Sequence, residues 1–224
     1  MPTSPRLRDL AALVVLCVLG APAEAAPRRP CELLKDAKGD AGLNGGEGGI
    51  GGPVPGTDDG SLDIISADLA ADATRLTVVI RVAGLRSGAS PLQGESWSFH
   101  FASPESAFFL SADRTHAGTS FTLFRYTTDY SGDTSQSFLF ERIGEVTGLL
   151  DTDASEIRMT APLSMFKPHD TITTGTTLHK LLVISWLKNE PIEGWSNASE
   201  GDETGGGGKA SYRVGTKNCV RVGS

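Results

Sequence analysis

Cysteine is scarce in this chain of 224 residues: there are three, and Cys17 falls inside an N-terminal apolar stretch. Long hydrophobic runs are missing as well. No segment reaches the 18 or so consecutive apolar residues that a membrane-crossing helix needs, which argues against a membrane span in the mature chain. Clustered basic charge is absent too. Arg28-Arg29 is the only adjacent basic pair, and the net charge is −7, so the chain is a poor candidate for a nucleic-acid binder, which has to neutralise phosphates with grouped Lys and Arg. The sequence contains no Gly-x-Ser-x-Gly elbow, no His-Glu-x-x-His, no Cys-x-x-Cys and no phosphate-binding Gly-x-x-x-x-Gly-Lys. The four histidines, His100, His116, His169 and His179, are dispersed without metal-ligand spacing and read as structural or solvated residues.

What is present begins with an export signal. Arg6 and Arg8 give a basic start, Leu10 to Gly20 an apolar stretch about half a membrane span long, and Ala23-Glu24-Ala25 a small-x-small cleavage site. Residues 1–25 are therefore expected to be removed, leaving residues 26–224 as a single domain that is secreted, extracellular or cell-wall associated. The mature chain keeps Cys31 and Cys219, near its two ends. In an oxidising compartment they are expected to pair, closing one loop of about 190 residues.

With 27 glycines and 12 prolines, the composition points to many turns. Period-two patterning supports strands. Leu76, Val78, Ile80 and Val82 alternate with Thr77, Val79 and Arg81, and Trp97, Phe99 and Phe101 alternate with Ser98 and His100. Further strand-like runs cover 107–112, 120–127, 137–142, 145–150, 156–161, 178–187 and 210–214, and only 162–167 suggests a brief helical turn. Turn compositions separate them: Ser87-Gly88, His116-Ala117-Gly118, Ser131-Gly132-Asp133 and Asp151-Thr152-Asp153. The expected fold is all-β, a single antiparallel β-sandwich of jelly-roll-like form. Its long loops are the glycine-rich segment 39–56 and the acidic segment 189–208.

Asp36 stands just before the glycine-rich loop, Asp40 at its start, and Asp63 and Asp68 after it. Carboxylates brought together there would repel one another unless a cation relieved them. Calcium suits such a site, because it accepts six to eight oxygens in flexible geometry, main-chain carbonyls included. An EF-hand is excluded by Lys38 and Ala41 at required ligand and glycine positions and by the lack of flanking helices. Two readings stand side by side: a sandwich-type calcium loop with Asp36, Asp40 and Asp63 as first ligands, or aspartates that cap turns through bonds to backbone amides.

Trp97, Trp186 and Trp195 are the only tryptophans. Trp97 and Trp186 sit in strand-like runs and are expected in the core. Trp195 lies in loop text and is the candidate ligand-binding residue, since an exposed indole offers a sugar a flat apolar platform with one hydrogen-bond donor. Asp151, Asp153 and Glu156 could suggest the paired acids of a glycoside hydrolase. They occupy an apparent turn, where solvated charge is routine.

The series Cys31-Glu32-Leu33-Leu34-Lys35-Asp36, Gly39-Asp40-Ala41 and Leu62-Asp63-Ile64-Ile65-Ser66-Ala67-Asp68 resembles a group of secreted bacterial β-sandwich proteins with an Asp-x-x-Gly-Asp-Ala element before a Leu-Asp-Ile-x-Ser-Ala-Asp strand. Gly148-Leu149-Leu150-Asp151, Ile157 to Leu163, and Tyr212 to Gly215 with Cys219 extend the resemblance over most of the mature chain. Its layout is similar to that of the DOMON and family 9 carbohydrate-binding sandwiches. The resemblance implies a sandwich, a ligand that is a sugar or haem, and calcium in some members. The function expected is a non-catalytic binding or cell-envelope module for an extracellular glycan or envelope component. The alternatives are a structural envelope protein without a small ligand and, third, a hydrolase.

Overall fold

The structure, a computed structural model, describes residues 33–38, 60–87, 93–127, 139–189, 198–204 and 210–216. Among them twelve strands are formed: β1 Leu34–Lys35, β2 Ile64–Ala71, β3 Arg75–Val82, β4 Gln93–Ala102, β5 Ala107–Thr115, β6 Gly118–Tyr126, β7 Phe140–Glu145, β8 Thr147–Asp151, β9 Glu156–Pro162, β10 Thr177–Asn189, β11 Ala198–Thr204 and β12 Ser211–Arg213. The one helical element among the described residues is the 3-10 turn Leu163–Met165, inside the segment expected to make a helical turn.

All ladders are antiparallel. One sheet runs β1-β2-β3-β9-β8 and the other β11-β10-β4-β5-β6-β7, with β12 also paired to β10. The chain passes from one sheet to the other at β3 to β4, β7 to β8 and β9 to β10, a winding of the jelly-roll kind. The expected all-β sandwich is thus the observed one. Its core is built from alternating rows: Leu76, Val78, Ile80 and Val82 of β3, Ile157, Met159 and Ala161 of β9, Trp97, Phe99 and Phe101 of β4, and Phe108, Leu110 and Ala112 of β5. Burying each large aliphatic or aromatic side chain contributes about 1.5–3 kcal/mol, so this shared interior dominates stability.

Two elements depart from the expectation. The acidic segment expected to be one long loop contains β11, which pairs Val183 with Thr204 and Lys188 with Ala198. Strand β10 also changes parity. A bulge between His179 and Leu182 inserts one extra residue, with Lys180 at φ 52. Leu178 is buried before the bulge and Leu181 and Val183 after it. The shift turns Ser185 inward, where its Oγ donates to the Leu62 carbonyl at 2.7 Å. Trp186 moves to the outer face opposite Ser96 and is only half-buried, so the core position expected for it is corrected. Trp97 is in the core as expected.

The edge strand β8 seats on β6 without a side chain at Gly148. A Cβ there would lie 2.2–2.5 Å from ring atoms of Phe121, which instead packs against the core. That seating holds Thr147 and Leu149 on the outer surface beside β9.

Candidate functional site

Both sheets have an outer face with a cleft. On the β4-β5-β6 face, His100 stacks on Phe109 at 4.9 Å and Phe109 on Phe124 at 4.8 Å, while Tyr126 and Phe140 approach Phe109 at 5.4 Å. The His100 ring is bridged on both nitrogens: Ser98 Oγ lies 2.7 Å from Nε2 and Tyr126 Oη 2.7 Å from Nδ1. Burial pushes the imidazole pKa down to about 3, so the ring stays neutral at ordinary pH. Ser98 and His100 are in contact, yet they fall short of a nucleophile and base. The hydroxyl is fully buried, and an imidazole this weakly basic takes no proton from it near neutrality. The adjoining cleft, edged by His100, Tyr126, Lys180 and Leu182, measures about 60 Å³. Ligand pockets run to about 300–1,000 Å³, so this one is too small to enclose such a ligand.

The outer face of the other sheet is different. Strand parity places Arg75, Thr77, Val79 and Arg81 of β3 on it, opposite the core row. Cross-strand partners continue it: Pro162, Thr160, Arg158 and Glu156 of β9, then Thr147, Leu149 and Asp151 of β8. A cleft of about 380 Å³ opens here, lined by Arg75, Thr147, Leu149, Arg158, Thr160 and Pro162 with the Gly148 backbone. Its floor is ordered. Thr77 and Thr160 hydroxyls share a hydrogen bond of 2.9 Å, and Arg158 is oriented by Glu156 at 2.5 Å. Glu156 also takes Arg81 Nε at 2.9 Å, and Arg81 reaches Asp68 at 2.7 Å. One wall carries Leu149, 55% exposed, and the far rim carries the exposed Arg75. The arrangement offers an apolar edge, two hydroxyls and two guanidinium groups around a space that fits one sugar-sized ring.

Compared with family models, curated proteins and solved structures, the chain matches none. The site is therefore read from its own chemistry.

The residues singled out in the sequence are distributed as follows. Trp195, Asp40, Cys31 and Cys219 lie outside the described residues. Asp36 and Asp63 come into one neighbourhood, because the β1-β2 ladder continues with the Asp36 amide donating to the Ile65 carbonyl at 2.9 Å. Asp63 is 1% exposed, and its carbonyl accepts the Ala83 amide at 2.8 Å. Asp36 Oδ1 accepts the Ala37 amide at 2.9 Å, a local bond of the turn-capping kind. Among the described residues no group of three or more His, Cys, Asp or Glu is arranged to hold a metal. Asp68 is fully buried; it accepts the Leu33 amide at 3.0 Å and pairs with Arg81. The paired acids near 151–156 are engaged structurally: Asp151 Oδ1 accepts the Ala154 amide at 3.0 Å, and Glu156 holds two arginines. Sequence reading missed the Arg75 and Arg158 cleft. Its only signal was the polar parity of each strand, and nothing local said that β3 and β9 are neighbours.

Proposed function

We propose that this protein is an exported, non-catalytic binding module that recognises a glycan, and that the cleft across β3, β9 and β8 is its binding surface. The supporting observation is the cleft itself: about 380 Å³, on a rigid sheet face, with hydroxyl and guanidinium groups beside one exposed apolar side chain. Sugars combine polar edges with apolar ring faces, and sites for them need both kinds of contact. An array of neutral and acidic oligosaccharides tests the reading. Thr147 is exposed on an edge strand, so Thr147→Tyr should fill the cleft, abolish the array signal and leave the melting midpoint unchanged. Silence of the wild-type protein across the array would favour a structural envelope role instead.

Calcium belongs to the same proposal. Asp36 joins the ladder of the strand that Asp63 leads into, and with Asp40 these are the carboxylates that would supply its oxygens. Bound calcium would tie the start of β2 to the segment before the glycine-rich loop. A ligand at a hundredfold excess over its Kd adds about 2.7 kcal/mol. Chelation should therefore lower the melting midpoint by about 5–10 °C, and Asp40→Asn should remove most of that response. Equal midpoints in chelator and in excess calcium would leave these aspartates as turn residues.

A further inference from the structure

We infer that the cleft across β3, β9 and β8 selects an acidic saccharide, with Arg75 as the residue that takes the carboxylate or sulfate; this rests on the glycan reading of the same cleft. The charges lining the cleft are unevenly matched, even though Asp151 on the same face, held by the Ala154 amide at 3.0 Å, brings the acids of the whole face level with its arginines. Asp68 and Glu156 face Arg81 and Arg158, with Arg81 shared between the two acids, so these four charges balance. Arg75, one cross-strand row further along, adds a cation with no carboxylate in the lining. Its charge is also felt by Asp72, whose carboxyl is held below its usual range first by the amide and hydroxyl of Thr74 and last by Arg75. Asp72 is committed to that turn, accepting Thr74 and Arg75 amides at 2.7 and 2.8 Å.

The cleft is thus a cationic recess on a chain of net charge −7. General attraction between the whole protein and a polyanion is unfavourable, so anion binding here has to be local and geometric. A guanidinium supplies this, because its planar fork meets a carboxylate or sulfate through two parallel hydrogen bonds. Arg158 is matched by Glu156 and keeps the other side of the recess polar without a net charge, and the Thr147 and Thr160 hydroxyls line the same space.

The experiment is calorimetric titration of the full mature protein with four probes: oligogalacturonate, its methyl ester, a sulfated oligosaccharide of similar length, and a neutral oligosaccharide. At least one anionic probe should bind about tenfold or more tightly than the ester and the neutral probe, the discrimination a charge-assisted hydrogen bond provides. Which anion wins identifies it as carboxylate or sulfate. Added salt should erode that preference. Arg75→Gln should abolish it, bringing the anionic probes down to the affinity of the ester, and Arg75→Lys should restore part of it. Arg75 is exposed at a strand start, so both variants should melt with the wild type. Equal binding of acid, sulfate, ester and neutral sugar would overturn this inference and leave the glycan reading standing. Binding of none would overturn both.

Discussion

Replacing Glu95 with alanine is expected to destabilise the domain by about 3–5 kcal/mol, because it removes the carboxylate that compensates a buried guanidinium. The Glu95 side chain is 0% exposed and that of Arg114 6%, and the two carry a double contact, with Arg114 Nε at 2.6 Å from Oε2 and a second nitrogen on the same oxygen. Oε1 accepts the Ser61 hydroxyl at 2.5 Å and pairs with Arg86 at 2.8 Å. Arg114 also lies over the Trp97 ring at 5.2 Å, while Trp97 Nε1 donates to the Ser61 carbonyl at 2.7 Å. The network docks the segment leading into β2, and with it Asp63, onto the end of the sandwich. Without Glu95 the Arg114 charge is left in an apolar interior. For a domain of this size the midpoint should fall by roughly 6–20 °C. Arg86 is 47% exposed, so Arg86→Ala should cost no more than about 1 kcal/mol. Adding Arg114→Ala to Glu95→Ala should recover part of the loss, since the stranded charge goes with it. Urea melts would decide the matter: a Glu95→Ala loss below 1 kcal/mol would show that the carboxylate is not holding Arg114 in place.

Reduction of the native protein is expected to produce the other large effect. We propose that Cys31 and Cys219 form a disulfide. Both lie outside the described residues, yet the described ends of the chain support the pairing. The Leu33 amide donates to Asp68 near the far end of β2, and the Tyr212 hydroxyl accepts the Ala71 amide at 3.0 Å at that same end. Described residues near both ends of the chain therefore meet at one end of β2. Cys219 lies three residues beyond the last described residue, Thr216, a reach of about 10 Å at most. Closing a loop of about 190 residues contributes roughly 5 kcal/mol in chain-entropy terms, an upper figure that native strain reduces. Non-denaturing reduction should then lower the midpoint by as much as about 10–20 °C, and a thiol assay before reduction should find neither cysteine reactive. Two reactive thiols in the native protein would end the proposal.

These expectations differ in where they come from. The proposed clasp rests on two residue positions alone, and the strands of the core were equally open to reading. Leu76 to Val82 and Trp97 to Phe101 alternate so regularly that one face had to be apolar, and both rows are buried. The bulge at Lys180 was not legible. The run from Leu178 to Leu187 is apolar at both parities, so the pattern left open which half would turn inward, and only the pairing of β10 with β4 settled it. The same holds for β11, whose text Ala198 to Thr204 is small and acidic and becomes a strand by pairing with the edge of β10.

The sequence by itself determined that this chain is an all-β sandwich with an apolar interior, because period-two alternation is a property of each strand alone. Which strands are neighbours is a property of the whole chain, since the pairing of β3 with β9 joins residues about eighty positions apart through the packing of the two sheets. The tertiary structure alone therefore set Arg75 beside Pro162, Arg158 beside Leu149 and Glu95 against Arg114. A cleft assembled from a few residues drawn from three strands leaves no mark in any one of them.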